Sequence, residues 1–239
     1  MTKKPKVLVV VVYNAGKQYC QSLYPIVTGN LHYSEKEILE VTELQEPKVG
    51  TAATGEEAAA AGRNYGMHYA RKHKFDFMFQ MDIDIVPPVD IIQRLLATGS
   101  FFVGAAVAAR GNENQCIGHI YRNRDLLSRE PLYRPPDDDV LAVDGIAGAA
   151  LLIGREVFGK VDLADYKGPD HIEGRHTADD EYYQIKVYNE LGVVPECDYG
   201  LRPWHYDADG YAYRLWGHRE YWGDLNEQAR IEKLMAEVK

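Results

Sequence analysis

Residues Phe75 to Pro88 read FDFMFQMDIDIVPP. Apolar and aromatic positions give way to two carboxylates, Asp82 and Asp84, one residue apart, and Pro87-Pro88 stop the run. An apolar run closed by prolines predicts a strand over Phe75 to Ile85, since proline cannot donate to a sheet ladder. In open α/β sheets ligands bind outside the carboxyl ends of the strands, and both carboxylates fall at such an end.

Lys6 to Val12 is a continuous β-branched run, the pattern of a strand buried on both faces of a mostly parallel sheet, and Tyr13-Asn-Ala-Gly16 breaks it. Glu37 to Leu44 alternates as a second strand, and proline-free Gly55 to His73, rich in Ala, Glu, Arg and Met, predicts a helix. Strand, helix, strand implies a right-handed crossover. Val89 to Thr98 predicts a short amphipathic helix, Phe101 to Ala109 a buried strand, and Gly111 to Asp139 loop and edge structure. Val143 to Ile153 is punctuated by glycine and then apolar. Arg155 to Val161 opens a helix, and Asp179 to Leu191 carries helical spacing closed by Gly192. The expected fold is therefore α/β, a mostly parallel central sheet flanked by helices. One domain is expected over residues 1–225, and Asn226 to Lys239 as a polar helical tail on the surface.

The chain of 239 residues, 46% hydrophobic, is long enough to bury a full core. A formal net charge of -9 excludes a broad basic surface for nucleic acid. Cys20, Cys116 and Cys197 are far apart and lack CxxC spacing, which suggests neither a disulfide framework nor a zinc cluster and makes a reducing cytoplasm the expected location. The basic residues before Val7 to Val12 precede a run too short for a signal peptide, with no small-residue cleavage site after it. No apolar stretch reaches about 18 residues, so no membrane span is expected.

Carboxylates at i and i+2 point the same way on a strand, and at a frayed strand end a turn brings both to one ligand. Hard oxygen donors suit Mg²⁺ or Mn²⁺, which keep waters and bind substrate phosphates. A DxD tripeptide alone is short and frequent, so its context decides. Here it follows Val12-Tyr-Asn-Ala15 and Ala61-Gly-Arg-Asn-Tyr-Gly66. It precedes a glycine-rich segment, Gly145 to Phe158, an acidic cluster within Thr177 to Tyr183 that opens a helix ending in Leu191-Gly192, and Trp204-His-Tyr206.

In that order, over roughly residues 6 to 206, these segments resemble the GT-A fold glycosyltransferases, in particular the large family 2 group. The resemblance implies a metal-dependent transfer of a sugar from a UDP-, GDP- or dTDP-sugar donor to an acceptor hydroxyl on a glycan, lipid or protein. It implies Asp84 as a ligand of Mn²⁺ or Mg²⁺, Asp82 at the ribose, the metal or its bound water, and His205 as a further ligand. His218 and His171 are lesser rivals. Tyr13 and Asn14 would contact the nucleotide, Arg63 the donor's phosphates, and Asn64 would fix a loop. Independently of any family, a departing nucleoside diphosphate needs its developing charge stabilised, and an inverting transfer needs a base for the acceptor hydroxyl. The candidates for that base are Asp179, Asp180 and Glu181. Counting back from Leu191-Gly192 aligns Asp180-Glu181 with the family's Glu-Asp pair, whereas aligning on Thr177-Ala178 favours Asp179-Asp180. Asp180 belongs to both registers and is the first candidate, Glu181 the second.

A nucleotidyltransferase shares the sheet and the carboxylate chemistry but carries a glycine-dense basic loop after its first strand, which Tyr13-Asn-Ala-Gly-Lys17 lacks. A catalytically silent nucleotide-sugar binding module would share the fold without needing these acidic residues. A metal-dependent nuclease would want a basic surface interleaved with aromatics, which the net charge opposes.

Overall fold

The structure is a computed structural model. It describes residues 4–13, 28–29, 31–42, 55–116, 118–121, 129–131, 140–164, 171–172, 175–176, 178–215, 217–222, 229 and 232. The chain runs β1 (Val7–Tyr13), β2 (Lys36–Thr42), α1 (Gly55–Lys72), β3 (Phe77–Asp82), β4 (Ile85–Val86), α2 (Ile91–Ala97), β5 (Phe102–Ala105), β6 (Ala108–Ala109) and β7 (Asn112–Cys116). It continues through β8 (Gly118–Tyr121), β9 (Arg129–Pro131), β10 (Val140–Ala142), β11 (Gly145–Ile146), β12 (Ala150–Gly154), α3 (Arg155–Phe158), β13 (His171–Ile172) and β14 (Arg175–His176). The last elements are α4 (Asp179–Leu191), β15 (Glu196–Asp198), β16 (Trp204–Tyr206), β17 (Tyr211–Arg214) and β18 (His218–Tyr221).

The valine run sets the centre of the molecule. Strand β1 lies between β2 and β3, parallel to both, and residues 7 to 11 are fully buried. Because side chains alternate across a strand, Val7, Val9 and Val11 enter one apolar cluster while Leu8, Val10 and Val12 enter the other. Each such burial contributes about 1.5 to 3 kcal/mol, which is why a polar residue is absent from the run. The first cluster takes in Ile91, Ile92 and Leu95 of α2 with Trp204, Tyr206 and Trp222. The second takes in Ala60, Met67 and Ala70 of α1 with Tyr183 and Val187 of α4.

The central sheet has seven strands in the order β10-β15-β5-β12-β3-β1-β2. Strands β2, β1, β3, β5 and β15 run one way, while β12 and β10 oppose them, so the sheet is mixed. A second sheet, β18-β17-β16-β4, is antiparallel throughout.

Three sequence expectations shift at this level. The strand expected over Phe75 to Ile85 stops at Asp82, and Ile85–Val86 belongs to the second sheet instead. The strand expected over Phe101 to Ala109 breaks after Ala105, where the Ala106 N–H is shared between the Leu201 carbonyl at 2.9 Å and the Asp198 carbonyl of β15 at 3.3 Å. The region from Gly111 to Asp139 contains β7, β8 and β9, and the remainder of it past residue 131 lies outside the described residues. Helix α4 keeps the expected limits, closed by Gly192 in the left-handed conformation at φ 67. Of the tail expected over 226–239, only residues 229 and 232 are described, and both are helical. Among the described residues no helix is long and apolar enough to cross a membrane. Cys116 and Cys197 are free and buried, and Cys20 lies outside the described residues.

Candidate functional site

The DxD segment is where the chain passes from the central sheet to the second one. The Asp82 N–H donates to the Ala149 carbonyl at 3.1 Å and the Ile83 N–H to the Val12 carbonyl at 3.2 Å, the last bonds of β3. Past that point the Asp84 carbonyl accepts the Tyr206 N–H at 2.8 Å, and His205 stands opposite Ile85 in the register of β4 and β16. This pairing sets the Asp84 carboxylate, 0% exposed, 3.5 Å from Nε2 of His205.

His205 lies in the middle of strand β16, and the strand's period explains the ring's direction. Trp204 and Tyr206 pack on Trp222 with ring centroids 5.6 and 5.7 Å apart. His205 faces the other way, where its Nδ1–H donates to the Ala108 carbonyl at 2.8 Å. That bond selects the tautomer and leaves Nε2 as an acceptor, here for the Nε–H of Arg110 at 3.0 Å. With no proton on Nε2, its approach to Asp84 is not an ion pair. The charge of Asp84 is balanced by Arg110, whose Nη2 also donates to Oδ2 of Asp84.

A second cation serves Asp82. Ala60, Arg63, Met67 and Ala70 recur at helical spacing on one buried stripe of α1, so Arg63 is held inside, 5% exposed. Its Nη1 donates to Asp179 and its Nη2 to Oδ1 of Asp82 at 3.2 Å. Burial alone would lower the Arg63 guanidinium, but the Asp179, Asp82 and Asp180 carboxylates hold it above its ordinary range. Burial pushes the Asp179 carboxyl up to about 6 against the pull of Arg63, and the nearby Asp180 and Asp82 charges add to the rise. One buried cation thus faces three acids. Arg63, expected from sequence at the donor's phosphates, lies between Asp82 and Asp179.

Asp180 is half-buried and held by backbone. Its Oδ2 accepts the Gly148 N–H at 2.9 Å and its Oδ1 the Glu181 N–H at 2.8 Å. Gln184, one turn along α4, accepts the Ile146 N–H and donates to the Ile146 carbonyl, both at 2.7 Å, while Gln80 of β3 donates to the Gly148 carbonyl. The glycine-rich segment is therefore a backbone cradle for the start of α4. A Cβ at Gly148 would lie 2.8 Å from the Asp180 Cβ, 2.8 Å from Gln80 Nε2 and 3.3 Å from Arg63 Cζ. The Asp180 Cβ sits close to its own backbone and cannot swing aside. Gly148→Ala is expected to cost about 1 to 3 kcal/mol by overpacking and to displace Asp180, as a chemical denaturation midpoint and an activity assay on the same variant will show.

Of the residues singled out from sequence, Arg63, Asp82, Asp179 and Asp180 form one network, and Asp84 with His205 forms another beside it. Glu181, the next residue of α4, is buried. His218 is exposed on β18, and the side chain of His171 lies outside the described residues. Tyr13 ends β1, but its side chain and all of Asn14 lie outside the described residues. Asn64 accepts the Leu163 N–H at 3.2 Å. Sequence reasoning missed Arg110, Gln80 and Gly148. A basic residue directly after the apolar run Phe101 to Ala109, mirroring acids directly after Phe75 to Met81, was the signal available for Arg110.

The donor set fits a hard divalent ion only in part. Asp84 and His205 Nε2 converge, with Nδ1–H donated to a backbone carbonyl as metal-binding histidines commonly do, but among the described residues no three His, Cys, Asp or Glu side chains gather as a cage. Two protein donors suit an ion that completes its shell with substrate phosphates and water, as Mg²⁺ and Mn²⁺ do.

Fold and site together define an α/β protein with a mixed central sheet, whose buried charges gather where β3 hands the chain to a second, antiparallel sheet. No family model matches the chain, and neither does any curated protein. Among solved structures, the crystal structure of A197 from STIV is similar in fold, with a TM-score of 0.58 at 15% identity over 92% of this chain and 95% of that one.

Proposed function

We propose that the protein is a GT-A type glycosyltransferase, moving a sugar from a nucleoside diphosphate sugar to an acceptor hydroxyl with inversion, in the presence of Mn²⁺ or Mg²⁺. The observation that carries this reading is the convergence of Asp84 and His205, far apart in sequence, with the imidazole tautomer set to offer Nε2. These are two of the three residues for which the resemblance implies a place at the metal, Asp82 being the third. Asp84 and His205 would hold the ion, which when bound supplies positive charge to the departing diphosphate.

The chain's own residues supply the rest. Asp180, fixed by the Gly148 N–H, is the base that takes the acceptor's proton. The acceptor oxygen then bonds to the anomeric carbon, the bond from that carbon to the diphosphate oxygen breaks, and the nucleoside diphosphate leaves with the electron pair. Arg63 and Asp179 hold Asp82 in place for the ribose. The test is a screen of UDP-, GDP- and dTDP-sugars for binding and slow hydrolysis with Mn²⁺, with Mg²⁺ and with EDTA. At least one donor is expected to bind and turn over only with metal; no binding by any of them removes the reading.

A further inference from the structure

We propose that Arg110 is a resident cation of the Asp84 and His205 site, displaced when a divalent ion enters. Ion binding then becomes strong only when a diphosphate arrives with it to take over the guanidinium. This rests on the metal-dependent reading above and adds a competitor to it.

Three observations carry the role. The first is occupancy: one guanidinium donates both to Oδ2 of Asp84 and, at 3.0 Å, to Nε2 of His205. These are the two atoms a divalent ion would use. A lone pair that accepts the Arg110 Nε–H is not available to a metal, so the two cations exclude each other.

The second is charge. The Asp84 side chain is 0% exposed, and a buried carboxylate without a partner is strongly destabilising. Before any ion binds, the Arg110 guanidinium sets a charge of opposite sign against that carboxylate.

The third is freedom to leave. The Arg110 side chain is 39% exposed, and the chain turns at once through Gly111 at φ +74, whereas the Asp84 side chain has no exposure at all. The guanidinium can move to solvent; the carboxylate cannot. Arg63, the other cation of the site, is buried between two acids and is in no position to follow a ligand. A released guanidinium is a planar fork matched to a diphosphate, so the nucleotide both completes the ion's shell and removes its rival. The consequence is positive coupling between ion and nucleotide, of the kind worth roughly 5- to 150-fold in affinity.

Mn²⁺ binding to wild type, Arg110→Met and Arg110→Lys, followed by the electron paramagnetic resonance signal of free Mn²⁺ with and without UDP or GDP, tests this without any turnover. Methionine keeps the length and offers a hard ion no oxygen. Arg110→Met is expected to bind Mn²⁺ alone about tenfold more tightly than wild type and to lose most of the gain that nucleotide brings. Arg110→Lys, a point charge that cannot bridge both acceptors, is expected to fall between. In EDTA Arg110→Met melts below wild type, and Mn²⁺ raises its melting temperature by more than it raises that of wild type. Equal or weaker Mn²⁺ binding by Arg110→Met, with wild type still binding in the presence of nucleotide, overturns the competitor role and leaves the metal site standing. Absence of Mn²⁺ binding in every protein, with or without nucleotide, overturns both.

Discussion

Asp84→Ala is expected to abolish metal-dependent binding of the nucleotide sugar and to lower its turnover by about 10²-fold or more, since charge stabilisation by a bound ion is worth several kcal/mol. The fold is expected to survive. The backbone bond from the Tyr206 N–H to the Asp84 carbonyl, 2.8 Å, does not involve the side chain, so the junction of β4 and β16 remains. The Arg110 side chain is 39% exposed and keeps its bond to His205 Nε2, so removing the carboxylate does not strand a fully buried charge. Stability is expected to stay within about 2 kcal/mol of wild type by denaturant melting. Calorimetric titration of the donor with Mn²⁺ present, beside a hydrolysis assay, separates the two effects. Unchanged affinity and turnover in a folded Asp84→Ala protein would end the metal-site reading.

The legibility of this molecule in its sequence follows the range of the contacts involved. Strand β1 was readable because burial on both faces demands an unbroken apolar run, and Val7 to Val12 supplies one. Helix α4 was readable at both ends because Asp179 to Glu181 and Gly192 are local signals. The division of Asp82 and Asp84 between Arg63 and Arg110 was not readable: it depends on a turn and on β4 pairing with β16, partners far along the chain. The burial of Arg63 was present in the sequence but unread, in its spacing from Ala60, Met67 and Ala70. That His205 comes within 3.5 Å of Asp84 was not readable from local pattern, because it depends on the three-residue strand β16 pairing with β4. Gly148 looked like one more glycine in a rich segment; only the packing of Asp180, Gln80 and Arg63 around it shows why a side chain is excluded there.

Asp180→Asn is expected to lower kcat on a true acceptor by about 10²- to 10⁴-fold with the donor's KM little changed, the size of a lost general base. The substitution is nearly isosteric. Its amide oxygen can still accept the Gly148 N–H that holds Asp180 at 2.9 Å, while the bond from the Glu181 N–H at 2.8 Å is the one at risk, at about 1 kcal/mol. A lost base shows in turnover on the acceptor and not in binding of the donor. The neighbours give the comparison its force. Asp179 is buried against Arg63 with its carboxyl pushed up to about 6, first by burial, so Asp179→Asn disturbs Arg63 and Asp82 together and shows in stability before it shows in turnover. Glu181 is buried too, and carries the role only under the register that pairs it with Asp180. Should Asp180→Asn turn over at the wild-type rate while Glu181→Gln loses turnover, the base is Glu181. Turnover unchanged in both variants would leave α4 with the structural task its bonds to Ile146 and Gly148 already perform.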